Sequence, residues 1–185
     1  MEPHPITSAA SQVRSRLRIA IALLWLLIPA AHAESEYNVK AAFLYNFTRL
    51  VKWPATAFAT PQAPLVIGVV GRDPFSGGLN DILRGQKAGA RPIEVKHLGT
   101  GDSAGLQNCH LIFVSSSVNV AEVARVVQGR PVLVVGESEN FARTGGIIGF
   151  VVREQKIRLE INNDAARQMR LGIPSDLLAM AKIVN

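Results

Sequence analysis

Cys109 and His110 stand side by side, the two residue types of a thiol–imidazole dyad. Such a dyad needs the ring within reach of the sulfur. The apolar run Leu111 to Val114 predicts a strand here, and successive strand residues point to opposite faces, so the pair is held apart. Cys109 reads as a small buried residue. Gly136-Glu137-Ser138-Glu139-Asn140 falls one residue short of the G-x-S-x-G elbow of hydrolases. Asn140 stands where that elbow wants glycine, and no histidine follows His110 to act as base, so Ser138 reads as the cap of a short helical turn. Gly99-Thr100-Gly101-Asp102-Ser103-Ala104-Gly105 has the look of a phosphate loop with the wrong spacing, after the second strand rather than the first. Beyond residue 33 only His97 and His110 remain, neither spaced as a metal ligand, and no cofactor is expected.

What is left is positional. In an open parallel sheet, ligands bind beyond the carboxyl ends of the strands. Those ends are Arg72-Asp73, Ser115-Ser116-Ser117 and Glu137, the candidate ligand-binding residues, with Arg72 beside a helix start suited to an anion.

The elements that position these groups follow from hydrophobic period. Val132 to Val135 is a short unbroken apolar run, a strand buried on both faces, and Ile147 to Val152 is its neighbour beyond the Gly145-Gly146 turn. Glu154-Gln155 turns the chain into Lys156 to Ile161. There Ile157, Leu159 and Ile161 alternate with Lys156, Arg158 and Glu160, a hairpin arm with one wet face. Upstream, Glu36 to Lys52 carries Val39, Ala42, Phe43, Phe47, Leu50 and Val51 at helical spacing, and Trp53-Pro54 ends it. Leu44 and Tyr45 widen that apolar surface, towards deeper burial or a docking surface. Ala55 to Pro64 is a loop. Leu65 to Val70, Ile93 to Leu98 and Leu111 to Val114 are strands, separated by a short Asp73-capped helix to about Leu83 and a glycine-bearing loop from Gly85 to Pro92. Asn119 and Glu122 form a capping box for Val120 to Gln128. Asn163 caps a helix to about Leu171, and Ser175 caps the last one, Asp176 to Lys182. Alternating strands and helices predict an α/β fold, a three-layer α/β/α sandwich with a mostly parallel sheet and an antiparallel C-terminal edge hairpin.

The N-terminus is a different kind of sequence. Arg14, Arg16 and Arg18 precede the apolar run Ile19 to Ile28, then Pro29 and Ala31-His32-Ala33, the order of a cleavable export signal. The run is shorter than the ~20 residues a membrane span needs. Residues 1–33 are therefore expected to be a cleaved signal peptide and 34–185 a single exported domain with no stable membrane span. The exported part keeps 17 Lys/Arg against 13 Asp/Glu, a scattered excess of +4 with no basic tract, which argues against nucleic-acid binding. One cysteine permits no intramolecular disulfide.

Laid out in this way, the chain resembles the YfiR family of small periplasmic proteins. The matching stretches are Tyr37 to Phe43 with Lys52-Trp53-Pro54, Ile67-Gly68-Val69 with Asp73-Pro74-Phe75, and Cys109 to Ser115. They continue through Val135-Gly136-Glu137, Phe141, Gly145 to Phe150, Lys156 to Asn162, Ala165 and Leu177-Leu178. The resemblance implies a non-enzymatic periplasmic inhibitor that binds the extracytoplasmic region of an inner-membrane diguanylate cyclase and so lowers cyclic di-GMP and biofilm formation. It also implies an OmpA-like outer-membrane lipoprotein as sequestering partner. A homodimer stays open. Some relatives carry extra cysteines that form disulfides, which this chain lacks. The partner-binding surfaces expected here are Leu44, Tyr45 and Trp53 on one side and Arg153, Arg158 and Glu160 on the hairpin. The alternative is a small-ligand sensor or carrier using the strand-end crevice.

Overall fold

The apolar runs of the sequence become the middle of one eight-stranded sheet. The computed structural model describes residues 36–185; the expected signal segment, 1–33, lies outside them. Tyr37–Asn185 forms one compact unit. A helix over residues 36–50, α1, is followed by β1 (Leu65–Val70), α2 (Gly78–Leu83), β2 (Lys87–Ala88), β3 (Arg91–Leu98) and α3 (Ser103–Gln107). Next come β4 (Leu111–Val114), α4 (Val120–Val126), β5 (Leu133–Gly136), β6 (Ile148–Arg153), β7 (Lys156–Asn162), α5 (Asn163–Gln168), α6 (Ser175–Ala179) and β8 (Ala181–Val184). The strands lie in the order β2-β3-β1-β4-β5-β6-β7-β8.

Every residue of β1, β4 and β5 is buried, because each strand carries helices on both faces. Side chains alternate between two cores. Ile67, Phe113 and Val135 face the core that includes Leu44 and Phe47 of α1, Leu79 of α2 and Leu177 of α6. Val66, Ile112 and Val134 face the other, with Leu106 of α3 and Val123 of α4. The expected α/β sandwich with a mostly parallel sheet is therefore present. Phe141, in a 3-10 turn after β5, seals one end of the second core; a Cβ on Gly136 or on Gly146 would collide with its ring.

The C-terminal end differs from expectation. The hairpin of β6 and β7 is antiparallel, with Glu154 and Gln155 both at positive φ (51° and 58°), the twist that two-residue hairpin turns favour. Yet it is not the outermost pair of the sheet. The last helix stops at Ala179 rather than Lys182, and Ala181–Val184 pairs parallel with β7 as an eighth strand. Ile183 and Val184 are β-branched and gain more from ladder and packing than from one further helical turn. Glu160 is consequently buried, not on a wet face. At the opposite edge, part of the expected loop from Gly85 to Pro92 forms β2, which pairs antiparallel with the start of β3.

Helix α1 is turned relative to its sequence pattern. Its buried side chains are Lys40, Ala41, Leu44, Phe47 and Thr48, whereas Val39 and Leu50 are 44% and 46% exposed. Leu44, expected on a docking surface, has no exposure at all and belongs to the core. Caps shift too. Asn162, not Asn163, accepts from Ala165 N–H to open α5, and Ser138 caps nothing with its side chain. Among the described residues no helix is long and apolar enough to cross a membrane.

Candidate functional site

At the carboxyl ends of the central strands the expected ligand crevice is occupied by the chain itself. Glu137, just past β5, accepts from Lys40 Nζ at 2.5 Å and from Tyr37 O–H at 3.2 Å. Both side chains of the ion pair are nearly inaccessible, at 3% and 9% exposure, and Lys40 lies 4.5 Å over the Tyr37 ring. The polar residue Lys40 thus turns α1 inward. Between β1 and β4, where the strand order reverses, Ser115 is buried and its hydroxyl meets that of Ser117 at 2.9 Å. Gly71, at φ 88°, approaches so closely that a Cβ would stand 2.5 Å from Ser115 Oγ and from Val118. Phe75 packs edge-on against both Tyr37 and Phe113. Asp73 turns its carboxylate back to Phe75 N–H and stands 3.8 Å from His97. Arg72, Ser116 and Ser117 are exposed. Of the six expected ligand residues, only these three face solvent fully, and none of them is bonded to Glu137.

The amino ends of the strands hold the other candidate groups. His110 Nδ1 accepts from Val66 N–H at 3.1 Å, which leaves the proton on Nε2, 3.0 Å from Ala57 C=O. Its ring stacks on Phe58 at 4.4 Å, Arg91 covers the far side of Phe58 at 3.6 Å, and Arg91 also donates to Thr60 and Ala63 C=O. Trp53 donates its indole N–H to His110 C=O at 3.2 Å. Burial holds the His110 pKa below its ordinary value, opposed by the Ala57 bond and helped by Arg91. This cluster straps the loop after α1 to the sheet, and Trp53 is part of the strap. Burial likewise pushes the Cys109 thiol up to about 11; its sulfur lies against Gly68 and Gly105 C=O and does not face His110. Among the described residues no three His, Cys, Asp or Glu converge as metal ligands.

The rim made by β6, β7 and β8 is open. A depression of 280 Å³ is lined by Val151, Arg153, Arg158, Leu159, Met180 and Lys182 around Glu160. The register explains the grouping. Arg158 lies opposite Val151, and Glu160 lies between Gly149 and Lys182, so one sheet face carries all the charges. Glu160 accepts from Lys182 at 3.2 Å and faces Arg153 at 3.7 Å, while both cations are more than half exposed. Arg158 is exposed and has no ion pair among the described residues. On the other face and at the corner, Val152, Met180 and Ile183 are 52%, 66% and 48% exposed, three of the five exposed large apolar side chains among the described residues.

The structure therefore brings Arg153, Arg158 and Glu160 together. It does not join them to Tyr45 or Trp53: Tyr45 donates to Gln86, beside β2 at the far edge of the sheet. Met180, Lys182 and Ile183 belong to the rim; the first two were hidden in an expected helix and Ile183 lay just beyond its end. The β-branched pair Ile183-Val184 was the one available signal for a strand.

A family model described as YfiR/HmsC-like matches residues 37–182. Among curated proteins none matches. Among solved structures, one that matches is apo CalE6, a methionine gamma lyase from Micromonospora echinospora, at 19% identity and a TM-score of 0.40. The match covers 62% of this chain and 32% of that one, so the chain spans about a third of its length.

Proposed function

The chain belongs to the YfiR/HmsC-like family, and on that footing we propose that it is a periplasmic regulatory protein acting on an inner-membrane diguanylate cyclase. It binds the cyclase's extracytoplasmic region, holds down cyclic di-GMP synthesis and so limits biofilm formation. The family match over residues 37–182 carries this reading, since it spans the sheet from α1 to the middle of β8. The expected signal in residues 1–33 supports export, and an OmpA-like outer-membrane lipoprotein would compete for the regulator. The surface that fits the task is the rim, where exposed cations and apolar side chains lie together around Glu160.

Such a regulator works by stoichiometry rather than turnover. It lowers cyclase output only by binding the inactive arrangement more tightly than the active one. A hundredfold preference, about 2.7 kcal/mol, moves an even equilibrium to about one part in a hundred active. The reading of a small-ligand sensor has less support, because Glu137 is already bonded to Lys40 and Tyr37.

The test is retrieval from membranes. Tagged full-length protein, exported in its host, should co-isolate with a membrane diguanylate cyclase after mild crosslinking, and its deletion should raise cyclic di-GMP. Retrieval of no cyclase, with cyclic di-GMP unchanged on deletion, refutes the reading.

A further inference from the structure

We propose that the outer edge of β8 takes up an extended segment of the partner protein as a ninth strand, and that this segment alternates acidic with apolar residues. The inference rests on the regulator reading for the identity of the partner, and on geometry for its chemistry.

β8 is the last strand in the sheet order, so among the described residues nothing pairs with its outer edge, which presents unpaired backbone groups. An added strand places successive side chains on opposite faces. The two faces at this edge differ in kind. Lys182 lies opposite Glu160, on the face that also carries Arg153 and Arg158. Ile183 lies opposite Ile161, on the apolar face, and remains 48% exposed. A partner strand thus meets cations with every second residue and an uncovered apolar strip with the others. Near the rim four cations, Arg153, Lys156, Arg158 and Lys182, stand against Glu154 and Glu160, and Glu160 is already engaged. The excess selects carboxylates.

The same charge disfavours other occupants. A second copy pairing edge to edge would bring Lys182 near its counterpart's cations. The N-terminal segment of this chain, with Arg14, Arg16 and Arg18, has the wrong sign.

The test uses the full chain, labelled with 15N, and two ten-residue peptides, one alternating Glu and Val and one alternating Lys and Val. The Glu–Val peptide should slow amide hydrogen exchange at one or more of Ala181–Val184 at least tenfold, while the Lys–Val peptide leaves it unchanged. Lys182→Glu should reverse the preference. Because that change sets a second carboxylate beside Glu160, Arg158→Glu, at an exposed side chain without an ion pair, serves as the second variant and should weaken Glu–Val binding at least threefold. Exchange unaltered by either peptide overturns the proposal, as does protection indifferent to peptide charge, or a free chain that sedimentation shows already paired through β8. These outcomes are separate from the cyclase test: an Arg158→Glu protein that still retrieves the cyclase at full strength sinks the strand-addition site and leaves the regulator standing, whereas wild type retrieving none sinks the regulator alone.

Discussion

The molecule buries two glutamates and treats them differently. Glu137, at the carboxyl end of β5, is paired with a lysine as inaccessible as itself and with a tyrosine hydroxyl. Glu160, on β7, is also largely buried, but Lys182 and Arg153, which face it, are about 60% exposed. The first cluster is closed: its cation has been taken from water. The second is open, because its cations stay hydrated and screened and exchange partners at little cost. The same acid therefore serves as a bolt at one place and as an anchor for a movable positive surface at the other. A crevice filled by its own bolt is a poor ligand site, and a rim with exchangeable charges is a good docking site.

The largest effect should come from breaking the bolt. Lys40→Met leaves the Glu137 carboxylate buried without its cation and should cost about 3–5 kcal/mol in urea unfolding, with the double variant Lys40→Met/Glu137→Met recovering much of it. A single-variant loss under about 1 kcal/mol would erase the distinction between the two glutamates. Gly146→Ala, which drives a Cβ into the Phe141 ring near the closed end, should cost about 1–3 kcal/mol, measured in the same way.

A smaller, pH-dependent effect is expected from His110. Its folded pKa is lowered, so the unfolded chain takes up the proton first as pH falls. The stability that its neutral ring contributes is complete above the ordinary value of 6.5 and is lost as pH drops from there towards the lowered folded value. His110→Asn should flatten that slope between pH 7 and 5. An unchanged slope would mean that another group governs the strap around Trp53, Phe58 and Arg91. The smallest effect belongs to the rim: Lys182→Ala should change stability by less than about 1 kcal/mol, and less still in high salt, while it weakens retrieval of the cyclase. A loss as large as that of Lys40→Met would make the rim a second bolt.

Much of the fold was legible because much of it is local. β1 and β4 have the bounds that their apolar runs mark, and the turn at Glu154-Gln155 lies where the alternation resets. The candidate site was legible in part: Arg153, Arg158 and Glu160 share a face by the period of two, and the register confirms it. Errors gathered where a distant group decides. The phase of α1 depends on Glu137, 97 residues from Lys40, and no reading of α1 alone places a lysine in the core. The fate of Ala181–Val184 depends on an unpaired edge of β7, which exists only once the hairpin has folded.

The sequence by itself determined which segments must be buried, since apolar period and β-branching act over a few neighbouring residues. Only the tertiary structure decided which charges are locked and which stay available. Burial of an ion depends on what lies within a few ångströms in space, and the lysine partners of Glu137 and Glu160 come from α1 and β8, elements remote along the chain and adjacent only when the sheet is complete.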